Sequence, residues 1–114
     1  MWAEARDICE SKGMSLATIE NERDNEEFLR FFKSQKSDNK TVWIGLNDLR
    51  EEGNFEWDSG STASYRPWNK RFAPNNGGKF KNEHCVEAWT RSRYKGLWND
   101  KQCYLRKPFV CSRY

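Results

Sequence analysis

Four cysteines, at positions 9, 85, 103 and 111, constrain this chain more than any other feature of it. Their successive spacings of 76, 18 and 8 residues contain no CxxC pair, which disfavours a zinc or thioredoxin-like site and leaves disulfides as the expected chemistry. Four cysteines can pair in three ways, and spacing does not choose among them. The chain needs such staples. At 114 residues it has room for one domain, 1–114, and its core must be small: 36% of residues are hydrophobic, 32% are charged and the mean hydropathy is −1.09. Six tryptophans and 15% aromatic residues overall make that core an aromatic one. An oxidising, extracellular setting also agrees with the sequon Asn39-Lys40-Thr41, a candidate glycosylation site at Asn39. The sequence shows no signal peptide and no apolar run long enough to span a bilayer, so a secreted or extracellular domain is expected, in mature or trimmed form.

Along the chain the hydrophobic period changes from helical to alternating. MWAEARDICESKG places Trp2, Ala5, Ile8 and Cys9 on one helical face and stops at Gly13, a residue favoured just past a helix end. SLATI reads as a short strand. NERDNEEFLRFFKSQ opens on Asn21 as a helix N-cap, supports itself with Glu26 to Arg30 one turn apart, and turns Phe28, Leu29 and Phe31 or Phe32 inward. From Thr41 the texture is that of strands: TVWIGL alternates Val42, Ile44 and Leu46 with Trp43 and Gly45, and NFEW answers it after the turn-like REEG. HCVEAW, GLWND and KPFVCSRY read as three further short strands. Between Asp58 and Asn82 runs a loop of a length that compact domains seldom carry without a use, anchored by Tyr65, Trp68, Phe72 and Phe80. The fold class is α+β: two helices, small antiparallel sheets and one long irregular loop.

Charge is unevenly placed. Residues 1–58 carry eight basic and fourteen acidic side chains, net −6, while residues 59–114 carry twelve and three, net +9, together the overall +3. The C-terminal half is therefore a candidate surface for anionic partners. An enzyme is not expected, because the one histidine, His84, stands beside Cys85 and no GxSxG, HExxH or P-loop pattern occurs. A hard-cation site is better supplied: Asn75, Glu83, Asn99 and Asp100 offer two carboxylates and two amide oxygens, the donor types that calcium takes in flexible sets of about six to eight.

WAEARDIC, LATI, WIGLND, EGNFEW, YRPW, the xPN triplet Ala73-Pro74-Asn75, NEHCV, LWND and FVC follow one another in an order that closely resembles the C-type lectin-like domain over essentially the whole chain. The resemblance implies that fold, with bridges Cys9–Cys111 and Cys85–Cys103, and a Ca2+ ion in the long loop. In the family two vicinal sugar hydroxyls replace water on the ion and hydrogen-bond to its carboxylate and amide ligands. The ligand positions correspond here to Asn75, Glu83, Asn99 and Asp100, and Pro74 is implied to be cis. Ala73 stands where the family's mannose-type loop has Glu and its galactose-type loop Gln, so the ion is expected to be held weakly or lost. An auxiliary ion site maps onto Asp48, Glu52, Asn76 and His84, of which two are not carboxylates. It is expected to be empty or weak, with Asp48 and Glu52 acting as turn residues. The usual N-terminal strand that pairs with the last strand has no counterpart before Trp2.

The implied function is calcium-dependent recognition of glycans or glycoproteins, of mannose-type lineage, in immunity or cell recognition. A loop with Arg66, Lys70, Arg71, Lys79 and Lys81 and no acidic residue between Asp58 and Glu83 extends this toward anionic or sulfated ligands, as in the selectin style of the loop. Lys79 and Lys81 are the candidate contacts there. The alternative is a calcium-independent lectin-like module that binds a protein partner. Neither nucleic acid nor membrane insertion is expected.

Overall fold

The computed structural model describes residues 1–33, 40–70 and 82–113. Helix α1 spans Trp2–Ser11 and buries Trp2, Ala5 and Cys9. Its end is set by Gly13 at φ +70, whose N–H donates to Glu10 O while the Met14 N–H reaches Cys9 O, both at 3.0 Å. This is the Schellman closure that a glycine permits. Ile8 does not join the buried stripe but is 43% exposed. At about 100° per residue it lies roughly 90° from the mean direction of Trp2, Ala5 and Cys9, which the periodicity had not separated.

Helix α2, Glu22–Lys33, begins as its cap requires. Asn21 Oδ1 accepts the Asp24 N–H at 2.8 Å, and Asp24 Oδ2 accepts the Glu20 N–H at 3.1 Å, so two otherwise orphan donors are satisfied. Phe28 is buried and Phe32 packs beside it at 5.0 Å, whereas Phe31 is 49% exposed, resolving the choice between the two. The i,i+4 ion pair on its outer face is Arg23–Glu27 at 3.7 Å, not the expected Glu26–Arg30. A polar residue, Asn25, was not foreseen in the buried face; its Nδ2 donates to Gly96 O at 2.9 Å, tying the helix to the far end of the sheet.

The main sheet has the order β3-β2-β4-β5, from β2 (Thr41–Asn47), β3 (Glu56–Trp57), β4 (Cys85–Trp89) and β5 (Trp98–Lys101), all antiparallel. A second sheet pairs β1 (Ser15–Leu16) with β6 (Cys111–Ser112), so the SLATI strand is shorter than its composition suggests. Strand β2 is central, and both its faces are buried. Val42, Ile44 and Leu46 pack with Phe28, Trp57 and Trp98, while Trp43 packs on the opposite side with Trp2, Cys9 and Leu16. Gly45 is where the two sheets meet: its N–H donates to Ala17 O at 3.0 Å, and a Cβ there would stand 3.1 Å from Leu16 O. No side chain fits at that spacing without displacing backbone.

Both implied disulfides are formed. Cys9–Cys111 ties α1 to β6 across 102 residues, and Cys85–Cys103 joins the start of β4 to the turn after β5 across 18 residues. The described part of the long loop is held where its aromatic anchors were expected: Tyr65 and Trp68 meet Trp98 edge-on at 5.6 and 6.5 Å. Backbone bonds Trp98 N to Pro67 O and Asn69 N to Trp98 O, 2.9 and 2.8 Å, fasten that segment to β5. Phe72 and Phe80 lie outside the described residues.

Burial, with Glu10 and Asp7 nearby, raises the Asp58 carboxyl above its ordinary 3.8 despite Arg6. The folded protein therefore binds that proton more tightly than the unfolded chain, and stability contributed at acid pH is lost as pH rises through the raised value. Asp58→Asn is expected to melt above the parent at pH 7, with the gap closing below the ordinary carboxyl range. Thermal midpoints at pH 7 and pH 3 test this, and a parent more stable at neutral pH contradicts it.

Candidate functional site

Three of the four expected ion ligands lie on β5 or just before β4. Glu83 lies two residues before β4, and on β5 Asn99 stands opposite Glu87 while Asp100 stands opposite Val86. All three are buried, Asp100 completely. Their placement follows from local chemistry. Cys85 is fixed by its bridge to Cys103, and Trp98, fully buried in the aromatic cluster, sets where the next two residues of β5 must fall. The fourth ligand, Asn75, lies outside the described residues, as do Ala73, Pro74, Asn76, Lys79, Lys81 and the sequon residue Asn39.

The Asn99 amide has a defined orientation. Its Nδ2 donates to Glu87 Oε2 at 3.3 Å, and its Oδ1 is buried with no hydrogen-bond partner among the described residues. A buried carbonyl oxygen without a donor costs about 1–3 kcal/mol, so such an atom calls for a partner. Glu87 in turn is 1% exposed and pairs through Oε1 with Lys107 Nζ at 2.9 Å. Lys107 also donates to Thr41 Oγ1 at 2.9 Å and lies over the Trp43 ring, 5.5 Å from its centroid. Neither Glu87 nor Lys107 was singled out in the sequence. An acidic residue inside CVEAW is a signal of a sort, but its partner is 20 residues away and identifiable only from the sheet.

The auxiliary cluster has a different character. Asp48 is buried, its Oδ2 accepts the Gly53 N–H at 2.9 Å, and its Oδ1 is 3.1 Å from His84 Nδ1. The Asp48 N–H donates to His84 O at 2.9 Å as well. Asp48 thus closes the turn after β2 and ties it to the approach to β4. Glu52 sits exposed in that turn. Among the described residues no group of three His, Cys, Asp or Glu side chains is arranged to hold a metal ion.

Arg66 was counted with the basic loop, and the structure corrects this. Its Nη1 donates to Ala63 O and Tyr65 O at 2.8 and 3.0 Å, its Nη2 to Phe55 O at 3.4 Å, and the guanidinium lies over Trp57 at 5.7 Å. Burial lowers its pKa. Arg66 is a clasp for the loop, while Lys70 is exposed.

The family model for the lectin C-type domain matches residues 1–113. The chain belongs to the C-type lectin family. Over 113 residues this C-type lectin domain is 33% identical to the galactose-specific lectin nattectin of Thalassophryne nattereri, covering 98% of this chain and 67% of that protein. It is 36% identical over 115 residues to C-type mannose receptor 2 of Homo sapiens, covering 98% of this chain but 7% of the receptor. Among solved structures, the carbohydrate-recognition domain of the mouse scavenger receptor C-type lectin superposes with a TM-score of 0.81 at 27% identity, covering 97% of this chain and 80% of that one. As a C-type lectin domain the chain is a non-enzymatic carbohydrate-binding module. Members of the family commonly bind Ca2+. The donor types of this lectin domain fit such an ion: among the described residues the Asn99 carbonyl oxygen is buried without a donor, the buried carboxylate Asp100 follows it on β5, and the buried Glu83 stands two residues before β4.

Proposed function

We propose that this domain recognises glycans through a weakly held calcium ion, with Asn75, Glu83, Asn99 and Asp100 as its protein ligands. The observation that carries the reading is the Asn99 amide, tied by Nδ2 to Glu87 with Oδ1 left as a buried acceptor without a donor among the described residues. A bound calcium would supply coordination positions for a pair of sugar hydroxyls. Glu83 and Asp100 would hold and orient those hydroxyls by accepting hydrogen bonds from them, and the Asn99 amide by donating its second Nδ2 hydrogen. Ala73 contributes no oxygen, so the set has two carboxylates rather than three and falls at the millimolar end of the extracellular range, about 10⁻⁴–10⁻³ M. The auxiliary position holds no second ion on this reading, since the Asp48 oxygens are spent on Gly53 and His84. Lys70, Arg71, Lys79 and Lys81 favour glycans that carry carboxylate or sulfate groups, and two disulfides in a small domain favour the secreted or extracellular setting. No described helix is long and apolar enough to cross a membrane.

Calcium titration tests the reading. The melting temperature and the emission of Trp98, next to Asn99, are expected to change saturably in the millimolar range and to revert with chelator. No change up to about 10 mM overturns the proposal in favour of a calcium-independent domain with a protein partner. In the same experiment Ala73→Glu is expected to lower the calcium midpoint about tenfold or more and to bring mannose retention. An unchanged midpoint shows that residue 73 does not face the ion.

A further inference from the structure

We infer that Glu87 is a positioning residue for the glycan site: it holds the Asn99 amide by Nδ2 and so presents Oδ1, with Lys107 holding Glu87 in place. The inference rests on the calcium reading for its functional half only. The chain of contacts is continuous, part-buried at Thr41 and Lys107 and buried at Glu87 and Asn99. Thr41 Oγ1 accepts from Lys107 Nζ, Lys107 pairs with Glu87 Oε1, and Glu87 Oε2 accepts from Asn99 Nδ2.

Stability alone does not account for this arrangement. A buried ion pair is often no better than well-packed apolar residues of similar volume, because removing both charges from water costs as much as their attraction returns. An apolar pair at 87 and 107 could fill the space between Trp43 and β5. It could not accept a hydrogen bond. What Glu87 supplies is an acceptor aimed at one of the two chemically different ends of the Asn99 amide. With Oε2 engaged by Nδ2, the amide is kept from the flipped state in which NH2 would face the ion position and repel a cation. Partners of this kind, one bond removed from a metal ligand, typically change metal affinity about 10–100-fold when removed.

The test compares the full chain with the swap Glu87→Leu/Lys107→Met and with Glu87→Gln/Lys107→Met, which restores a neutral acceptor. Side-chain amide exchange of Asn99 is read by NMR in calcium-free protein, and the calcium midpoint by titration with calcium chloride. In the wild type one Asn99 Nδ2 proton is expected to exchange slowly. In the swap that protection is expected to fall while backbone protection of β4 and β5 persists, and the calcium midpoint to rise at least tenfold. The glutamine variant should recover both. An Nδ2 proton that exchanges as fast as in an exposed asparagine, protection that survives the swap, or protection lost with an unchanged calcium midpoint each overturns the inference. Should the swap not fold, the wild-type exchange rate decides. If the wild type gives no calcium response, the calcium reading falls by itself, while the amide measurement still decides whether Glu87 holds Asn99.

Discussion

Replacing Cys9 and Cys111 together by alanine is expected to cost on the order of 4.7 kcal/mol, the chain-entropy value for closing a loop of about 100 residues. The bridge spans 102 residues and joins α1 to β6, so its loss frees nearly the whole chain in the unfolded state. The Cys85–Cys103 bridge closes only 18 residues, and its removal is expected to cost about 3 kcal/mol. Against a total stability of about 5–15 kcal/mol for a domain of ordinary size, the first loss alone takes from about a third to nearly all of what is available. Urea unfolding of both double variants measures the two costs. The order matters more than the values: a larger loss from the short loop would show that native packing around Cys85, rather than chain entropy, sets the contribution of these bridges.

Lys107→Met is expected to destabilise by about 3–5 kcal/mol, because it strands the Glu87 carboxylate in a site where it is 1% exposed. The added Glu87→Leu should restore most of that loss, since the swap then removes both buried charges. Glu87→Leu alone is expected to cost less than Lys107→Met, as the Lys107 side chain keeps 15% exposure and can turn its ammonium toward water. A thermal or denaturant series on the three variants gives the coupling between the two residues as a double-mutant cycle. Independent, additive losses would mean that the 2.9 Å pair contributes nothing as a pair.

Much of the fold was legible because its signals are local. The Asn21 cap and the Gly13 stop are read from side chains that act on backbone a few residues away, and both are made as expected. The aromatic anchors Tyr65 and Trp68 were legible because they are the two aromatic side chains between Asp58 and Lys70. Ile8 and Phe31 were not, because a helical period shows a face and not how wide a stripe the neighbours cover.

For the candidate site the division is similar. Glu83, Asn99 and Asp100 could be named from the sequence, through a resemblance whose motifs lie within short runs, but Ala73 and Asn75 had to be weighed there alone. The sequence by itself determined the element order, the need for covalent staples and the residue types offered to a ligand, because these follow from composition and from contacts close along the chain. Only the tertiary structure decided that Lys107 reaches Glu87, that Glu87 holds Asn99, that Asp48 is spent on Gly53 and His84, and that Arg66 is spent on backbone. Lys107, Glu87 and Asn99 are separated along the chain, and Glu87 meets Asn99 through a sheet register set by the burial of Trp43, Val86 and Trp98 rather than by the polar residues themselves.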